Sequence, residues 1–207
     1  MKIHDTEQGS ASWYALRMGV VTASEADALV SPLGKVRTGL GVDSYLHRKL
    51  AEKLLNWSPE MLEGFAVNQG KLIETICLPW FEFEFEKKVK RVGFCTSDDG
   101  RCGFSPDGML EDGSGLEIKS PQGPNQIKYL LENKVPDDYV IQIQFSLMVS
   151  DAPYWTFVSY SMTLPPLVIR VERDEKIQAA LREAIAAFNE RFDSALARLQ
   201  SMKQQKG

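Results

Sequence analysis

The stretch that decides the reading is Ser105-Pro106-Asp107-Gly108, followed nine residues after its aspartate by Leu116-Glu117-Ile118-Lys119. Pro at the second position of a turn fixes φ, and Asp and Gly suit the next two positions. Leu-Glu-Ile-Lys alternates apolar and polar, the period of a strand with one buried face. Glu117 and Lys119 therefore point the same way, with Leu116 and Ile118 turned toward a core. The intervening Glu111-Asp112-Gly113-Ser114-Gly115 is a hairpin signal, with Asp-Gly and a second Gly close behind. A hairpin brings the Asp107 end of one strand beside the start of the next, so two carboxylates and an amine converge. That set fits metal-assisted hydrolysis. Hard oxygen ligands select Mg²⁺ or Mn²⁺ over Zn²⁺, and a lysine beside the ion stabilises developing charge or orients water. Read alone, the same residues also fit a plain turn and an exposed strand face. The rest of the chain separates the two.

At 207 residues the chain is expected to form one domain, residues 1–207, with a full core. Its 43% hydrophobic and 25% charged residues are ordinary for a globular protein. No apolar run approaches a membrane span, and Met1 to Gly9 does not read as a secretion signal. Cys77, Cys95 and Cys102 are odd in number and lack CxxC spacing. Free thiols in a reducing cytoplasm are the expectation, rather than a zinc site or disulfides. The net charge of −4 argues against a generic nucleic-acid binder. Its distribution matters more: residues 61–169 hold 9 Lys and Arg against 15 Asp and Glu, while residues 170–207 hold 8 against 6. The acidic excess surrounds the proposed metal site. Any DNA contact must then use local clusters such as Lys35 and Arg37, or Lys87, Lys88, Lys90 and Arg91.

The helical and extended patterns alternate along the chain. Residues 10–18 predict a short helix, and Glu25 to Val30 a second, capped by Thr22 or Ser24. Arg17 and the Thr22–Ser24 turn together can hold a phosphate. Ser31 to Gly39 reads as a loop, residues 43–56 as a helix, and Ser58-Pro59-Glu60 as the opening of another. Residues 68–86 read mostly as helix, divided or kinked at Pro79, with a strand reading open for 81–86. Strands are predicted over Val89–Thr96, Cys102–Leu110 and Gly115–Ser120. Helices follow over 122–132 and 137–150, strands over Tyr154–Ser161 and Leu167–Glu172, and an amphipathic helix over 174–199. The order predicts an α/β (α+β) fold with a central mixed sheet flanked by helices. Glu74 then reaches the carboxylates from a preceding helix, and Tyr139 and Gln142 share one face of another.

Six ordered motifs carry a resemblance: Trp13-x-x-x-Arg17, Thr22-Ala23-Ser24-Glu25, Gly70-Lys71-x-x-Glu74, Ser105-Pro106-Asp107-Gly108, Glu117-x-Lys119 and Gln142-x-Gln144. Together they resemble the lambda-exonuclease-like, YqaJ-type viral recombinases of the PD-(D/E)XK nuclease superfamily, whose core is restriction-endonuclease-like. The resemblance runs from about Trp13 to the final helix. It implies that Asp107 and Glu117 hold Mg²⁺ (Mn²⁺ substituting) with the Ile118 backbone carbonyl, and that Lys119 sits beside the attacking water. Glu74 completes the acidic cluster, Tyr139 and Gln142 line the site, and Arg17 and Ser24 receive the 5′-phosphate of the strand being degraded. The implied activity is a Mg²⁺-dependent 5′→3′ exonuclease on linear double-stranded DNA that leaves a 3′ single-stranded tail. The implied assembly is a ring-shaped homotrimer working with a single-strand annealing protein in phage-type recombination. The alternatives are an endonuclease of the same fold and a non-cleaving DNA-binding subunit. An iron–sulfur relative is disfavoured, because three scattered cysteines cannot supply four ligands. One departure stands out: after Lys119 the chain reads Ser120-Pro121-Gln122-Gly123-Pro124-Asn125, without the basic residue the family often carries.

Overall fold

A computed structural model describes residues 1–57 and 64–204, without the side chains of residues 64–71 and 204. The expected helix start at Ser58-Pro59-Glu60 and the side chain of Lys71 lie outside the described residues. Two mixed sheets form the frame. The first contains β1 (Lys2–His4), β2 (Val21–Thr22), β4 (Phe94–Thr96) and β5 (Cys102–Phe104), in the order β1-β4-β5-β2. The second contains β3 (Val89–Lys90), β6 (Gly108–Leu110), β7 (Gly115–Lys119), β8 (Trp155–Ser159) and β9 (Leu167–Val171), in the order β3-β6-β7-β8-β9. β2 runs parallel to β5 and β7 parallel to β8; the other pairings are antiparallel.

Two segments that read as single strands are each divided between the sheets. Val89–Thr96 becomes β3 and β4, and Cys102–Leu110 becomes β5 and β6. The first break falls at Gly93, where a Cβ would stand 1.9 Å from the Thr6 carbonyl oxygen. Only glycine allows that approach of backbone to backbone. The second falls at Ser105-Pro106-Asp107, where proline has no N–H to give a ladder. Asp107 thus sits in the seam between the sheets, beside the hairpin that the Asp112-Gly113 turn closes. Gly108 pairs with Leu116, and Gly113 adopts φ 81°.

Helices cover the second sheet. α3 (Gly64–Phe85) lays Cys77, Leu78 and Phe81 on Leu116, Ile118 and Val158. It passes through Pro79 undivided and includes 81–85, so the strand alternative there is replaced by helix. α5 (Asp137–Ser150) and α6 (Glu175–Gln204) form the larger core with Trp155 and Phe157, joined by α2 (Leu40–Leu55) and a 3₁₀ helix at Ala23–Ala28. α1 (Ala11–Arg17) starts at Ser10, whose hydroxyl accepts the Trp13 N–H at 3.2 Å. α4 (Gly123–Glu132) follows β7 directly. All three cysteines are buried free thiols. Among the described residues no helix is long and apolar enough to cross a membrane.

Candidate active site

The site is built on β7. Its Leu116 and Ile118 are buried against α3, which turns Glu117 and Lys119 the other way, toward α5. Glu117 is only 3% exposed. A carboxylate so placed needs donors, and two converge on its Oε1: the Lys119 ammonium at 2.6 Å and the Gln142 amide at 2.6 Å. Asp107, partly buried in the seam, accepts the Ile118 N–H at 2.5 Å through Oδ2. This bond crosses from the turn to β7 and holds both acids in one register.

The electrostatics of the cluster are unfavourable for a bare chain. Burial, then the charges of Glu117 and Glu74, push the Asp107 carboxyl well above its ordinary range. For Lys119, burial works against the charged form, but Glu117 and Asp107 outweigh it and hold the ammonium above its usual value. With both carboxylates unscreened, Lys119 is held in its charged form at neutral pH. Its ammonium lies 4.9 Å from the centroid of the Tyr139 ring, which is itself stacked on Phe157 at 5.6 Å. Tyr139 meets the site as a platform for Lys119.

Glu74 reaches the seam from α3 and, with Asp107, lines a hollow of about 480 Å³ that also includes Asp5, Glu7 and Arg91. Among the described residues no three His, Cys, Asp or Glu side chains close into a finished metal site. The donor set nevertheless fits a hard divalent cation. It is all oxygen, it carries excess negative charge, and burial together with the charges of Glu117 and Glu74 pushes Asp107 toward protonation.

Arg17 and Ser24 come together on the other flank. Arg17, 8% exposed, points its Nη2 at Ser24 Oγ at 3.5 Å and stacks over the Trp13 ring at 4.2 Å. The Trp13 indole N–H in turn donates to Ser105 Oγ at 2.8 Å. A cavity of about 180 Å³ is lined by Trp13, Arg17, Ala23, Ser24, Phe104, Ser105 and Gln142. Gln142 thus has one end of its environment in this cavity and its amide on Glu117. Of the two expected caps, Ser24 lies inside the 3₁₀ helix, and Thr22 stands at its N-cap without a side-chain capping bond; its hydroxyl donates to Glu25 at 2.9 Å.

Asp107, Ile118, Glu117, Lys119, Gln142 and Tyr139 are linked by the contacts above, Glu74 shares the larger hollow with Asp107, and Arg17 and Ser24 share the smaller cavity with Gln142. Sequence reasoning assigned no role to Asp5 and Glu7, which line the larger hollow, or to Trp13 and Ser105 of the smaller cavity, although the last two stand in the sequence motifs. Both signals were present: Trp13 lies four residues before Arg17 on one helix face, and Ser105 opens the turn that carries Asp107.

Comparison with known proteins gives a consistent picture. A family model described as a YqaJ-like viral recombinase domain matches residues 12–153. No curated protein sequence matches. Among solved structures, the alkaline exonuclease LHK-Exo from Laribacter hongkongensis is similar with a TM-score of 0.83 at 23% identity, over 96% of this chain and 100% of that one. The same protein in complex with dAMP gives a TM-score of 0.80 at 23% identity over the same shares. A phage related exonuclease from Haemophilus somnus 129PT gives 0.66 at 12% identity, over 87% of this chain and 96% of its own. At such identities the likeness establishes the fold.

Proposed function

Because the chain belongs to the YqaJ-like viral recombinase domain family, we propose that it is a divalent-metal-dependent deoxyribonuclease that degrades one strand of linear duplex DNA from a 5′-phosphorylated end. The observation that carries this reading is the wall shared by two sites. Gln142 lines the Arg17–Ser24 cavity and donates to Glu117. A terminal phosphate held by Arg17 and Ser24 then leaves the next phosphodiester near the carboxylates, as an exonuclease releasing nucleotides requires.

Asp107, Glu117, the Ile118 carbonyl and Glu74 would hold Mg²⁺, with Mn²⁺ as a substitute. When bound, the ion polarises the phosphoryl group and supplies hydroxide near neutral pH. Lys119 contributes an ammonium that orients the attacking water and stabilises the developing negative charge. Gln142 keeps Glu117 in its rotamer, and Tyr139 confines Lys119. Arg17, braced by Trp13, and Ser24 bind the 5′-phosphate. Residues 1–207 act as a single nuclease domain in the cytoplasm, assembled as a ring-shaped homotrimer that leaves a 3′ tail for a single-strand annealing protein. These last points rest on the family resemblance of the sequence motifs.

Timed digestion of a linear duplex labelled at its 5′ or 3′ ends, with and without Mg²⁺, tests the reading. Early release of the 5′ label only with metal, and intact covalently closed circles, are expected. Cleavage of the circles would make the protein an endonuclease, and binding without release would make it a non-cleaving subunit.

A further inference from the structure

Beside the Arg17–Ser24 cavity lies an ion cluster that the reaction itself does not touch. Lys49 of α2 is 2% exposed, and its ammonium stands 2.7 Å from Glu25 Oε2 and 3.0 Å from Glu52 Oε2. Arg48 closes on Glu25 Oε1. Each carboxylate also grips a different segment of chain. Glu25 Oε2 accepts the Thr22 hydroxyl at 2.9 Å, and Glu52 Oε2 accepts the Gly19 backbone N–H at 3.3 Å. Gly19 follows Arg17 by two residues, and Glu25 follows Ser24 directly. A single ammonium is therefore the common partner of the two segments that carry the two anion-binding groups.

Burying such a cluster is poorly explained by stability. Desolvation offsets most of the attraction between buried ions, and apolar replacements are often as stable. What an ion cluster supplies, and a greasy contact does not, is a fixed distance and direction between the segments it joins. Burial raises the Glu25 carboxyl, yet Lys49 and Arg48 more than reverse this and leave it below its ordinary range. Glu25 stays ionised through the neutral range.

We propose that Lys49 is a positioning residue for recognition of the 5′-phosphate: through Glu52 and Gly19 on one side, and Glu25 and Thr22 on the other, it sets the separation of Arg17 and Ser24. The proposal rests on the reading of that cavity as the 5′-phosphate pocket. Lys49 touches no substrate; it acts on the two groups that do.

The test is the ratio of kcat/KM on 5′-phosphorylated and 5′-hydroxyl linear duplexes, for wild type, Lys49→Met and Lys49→Arg. A ratio taken on one preparation does not depend on the folded fraction. Lys49→Met keeps the stem and is expected to lower the ratio about tenfold or more, through KM on phosphorylated ends. Its kcat on 5′-hydroxyl ends stays within about twofold of wild type. Lys49→Arg, which keeps the charge, recovers most of the ratio. Should Lys49→Met not fold, Lys49→Met/Glu52→Gln, which also removes a stranded carboxylate, takes the same measurement. An unchanged ratio, or an equal loss on both substrates, overturns the proposal. A wild-type protein indifferent to the terminal phosphate removes the pocket itself, a different failure.

Discussion

Glu117 and Asp107 hold the charge of Lys119 against the cost of burial, and the proposed role is that of a cation and donor. Lys119→Ala is expected to reduce kcat by about 10²–10³, the loss typical of one donor to transition-state charge, while leaving duplex affinity nearly unchanged in gel-shift titrations. A variant with wild-type turnover contradicts the assignment. Asp107 carries the opposite burden, a carboxylate pressed by Glu117 and Glu74. Without metal, Asp107→Asn is expected to raise the thermal midpoint by about 2–4 °C, equivalent to roughly 1 kcal/mol, while abolishing hydrolysis. A lowered midpoint contradicts the repulsion. At this scale the sequence was highly legible, because Asp107, Glu117 and Lys119 advertise themselves by turn chemistry and alternation. Trp13 and Ser105 were harder, since their contact joins residues 92 positions apart.

At the scale of elements, β7 and its hairpin position the chemistry. A Cβ on Gly115 would meet the Trp155 indole at 2.2 Å, and Trp155 is fully buried with nowhere to move. Gly115→Ala is expected to cost about 1–3 kcal/mol by overpacking and to lower activity by displacing the strand that holds Glu117. A midpoint within a degree of wild type contradicts this. Across the same hairpin, Asp112 accepts the Ser114 N–H at 3.0 Å and the Tyr154 hydroxyl at 2.6 Å. Burial, the largest single influence, raises its carboxyl, but the Ser114 and Tyr154 hydrogen bonds together outweigh it, lowering it to about 2 from an ordinary 3.8. A lowered carboxyl stabilises the fold above its unfolded value, and that contribution drains as pH falls from about 4 toward 2. Asp112 is 45% exposed, so solvent screening limits the effect to about 1 kcal/mol or less. Denaturant melts should show Asp112→Asn weaker than wild type at pH 7 and converging with it near pH 2. A constant gap contradicts the linkage. Helices α1, α2, α4, α5 and α6 were readable from the pattern of apolar residues. The two strand breaks were not. Gly93 breaks because Thr6 of a distant segment crosses it, and no local pattern records such a crossing.

At the scale of the molecule, acids from the N-terminal segment meet acids from the acidic middle of the chain. Asp5, Glu7, Glu74 and Asp107 share one hollow, with Glu117 behind them. An α/β frame was legible from element order; its division into two sheets, with the chemistry in the seam, depended on contacts that only the folded chain displays. The central claim is that this seam gathers a divalent cation through Asp107 and Glu117. Calorimetric titration of Mn²⁺ into the wild-type protein and Asp107→Asn tests it most directly. Saturable binding by the wild type, weakened by about tenfold or more in the variant, is predicted; equal affinity in the two proteins would contradict the account.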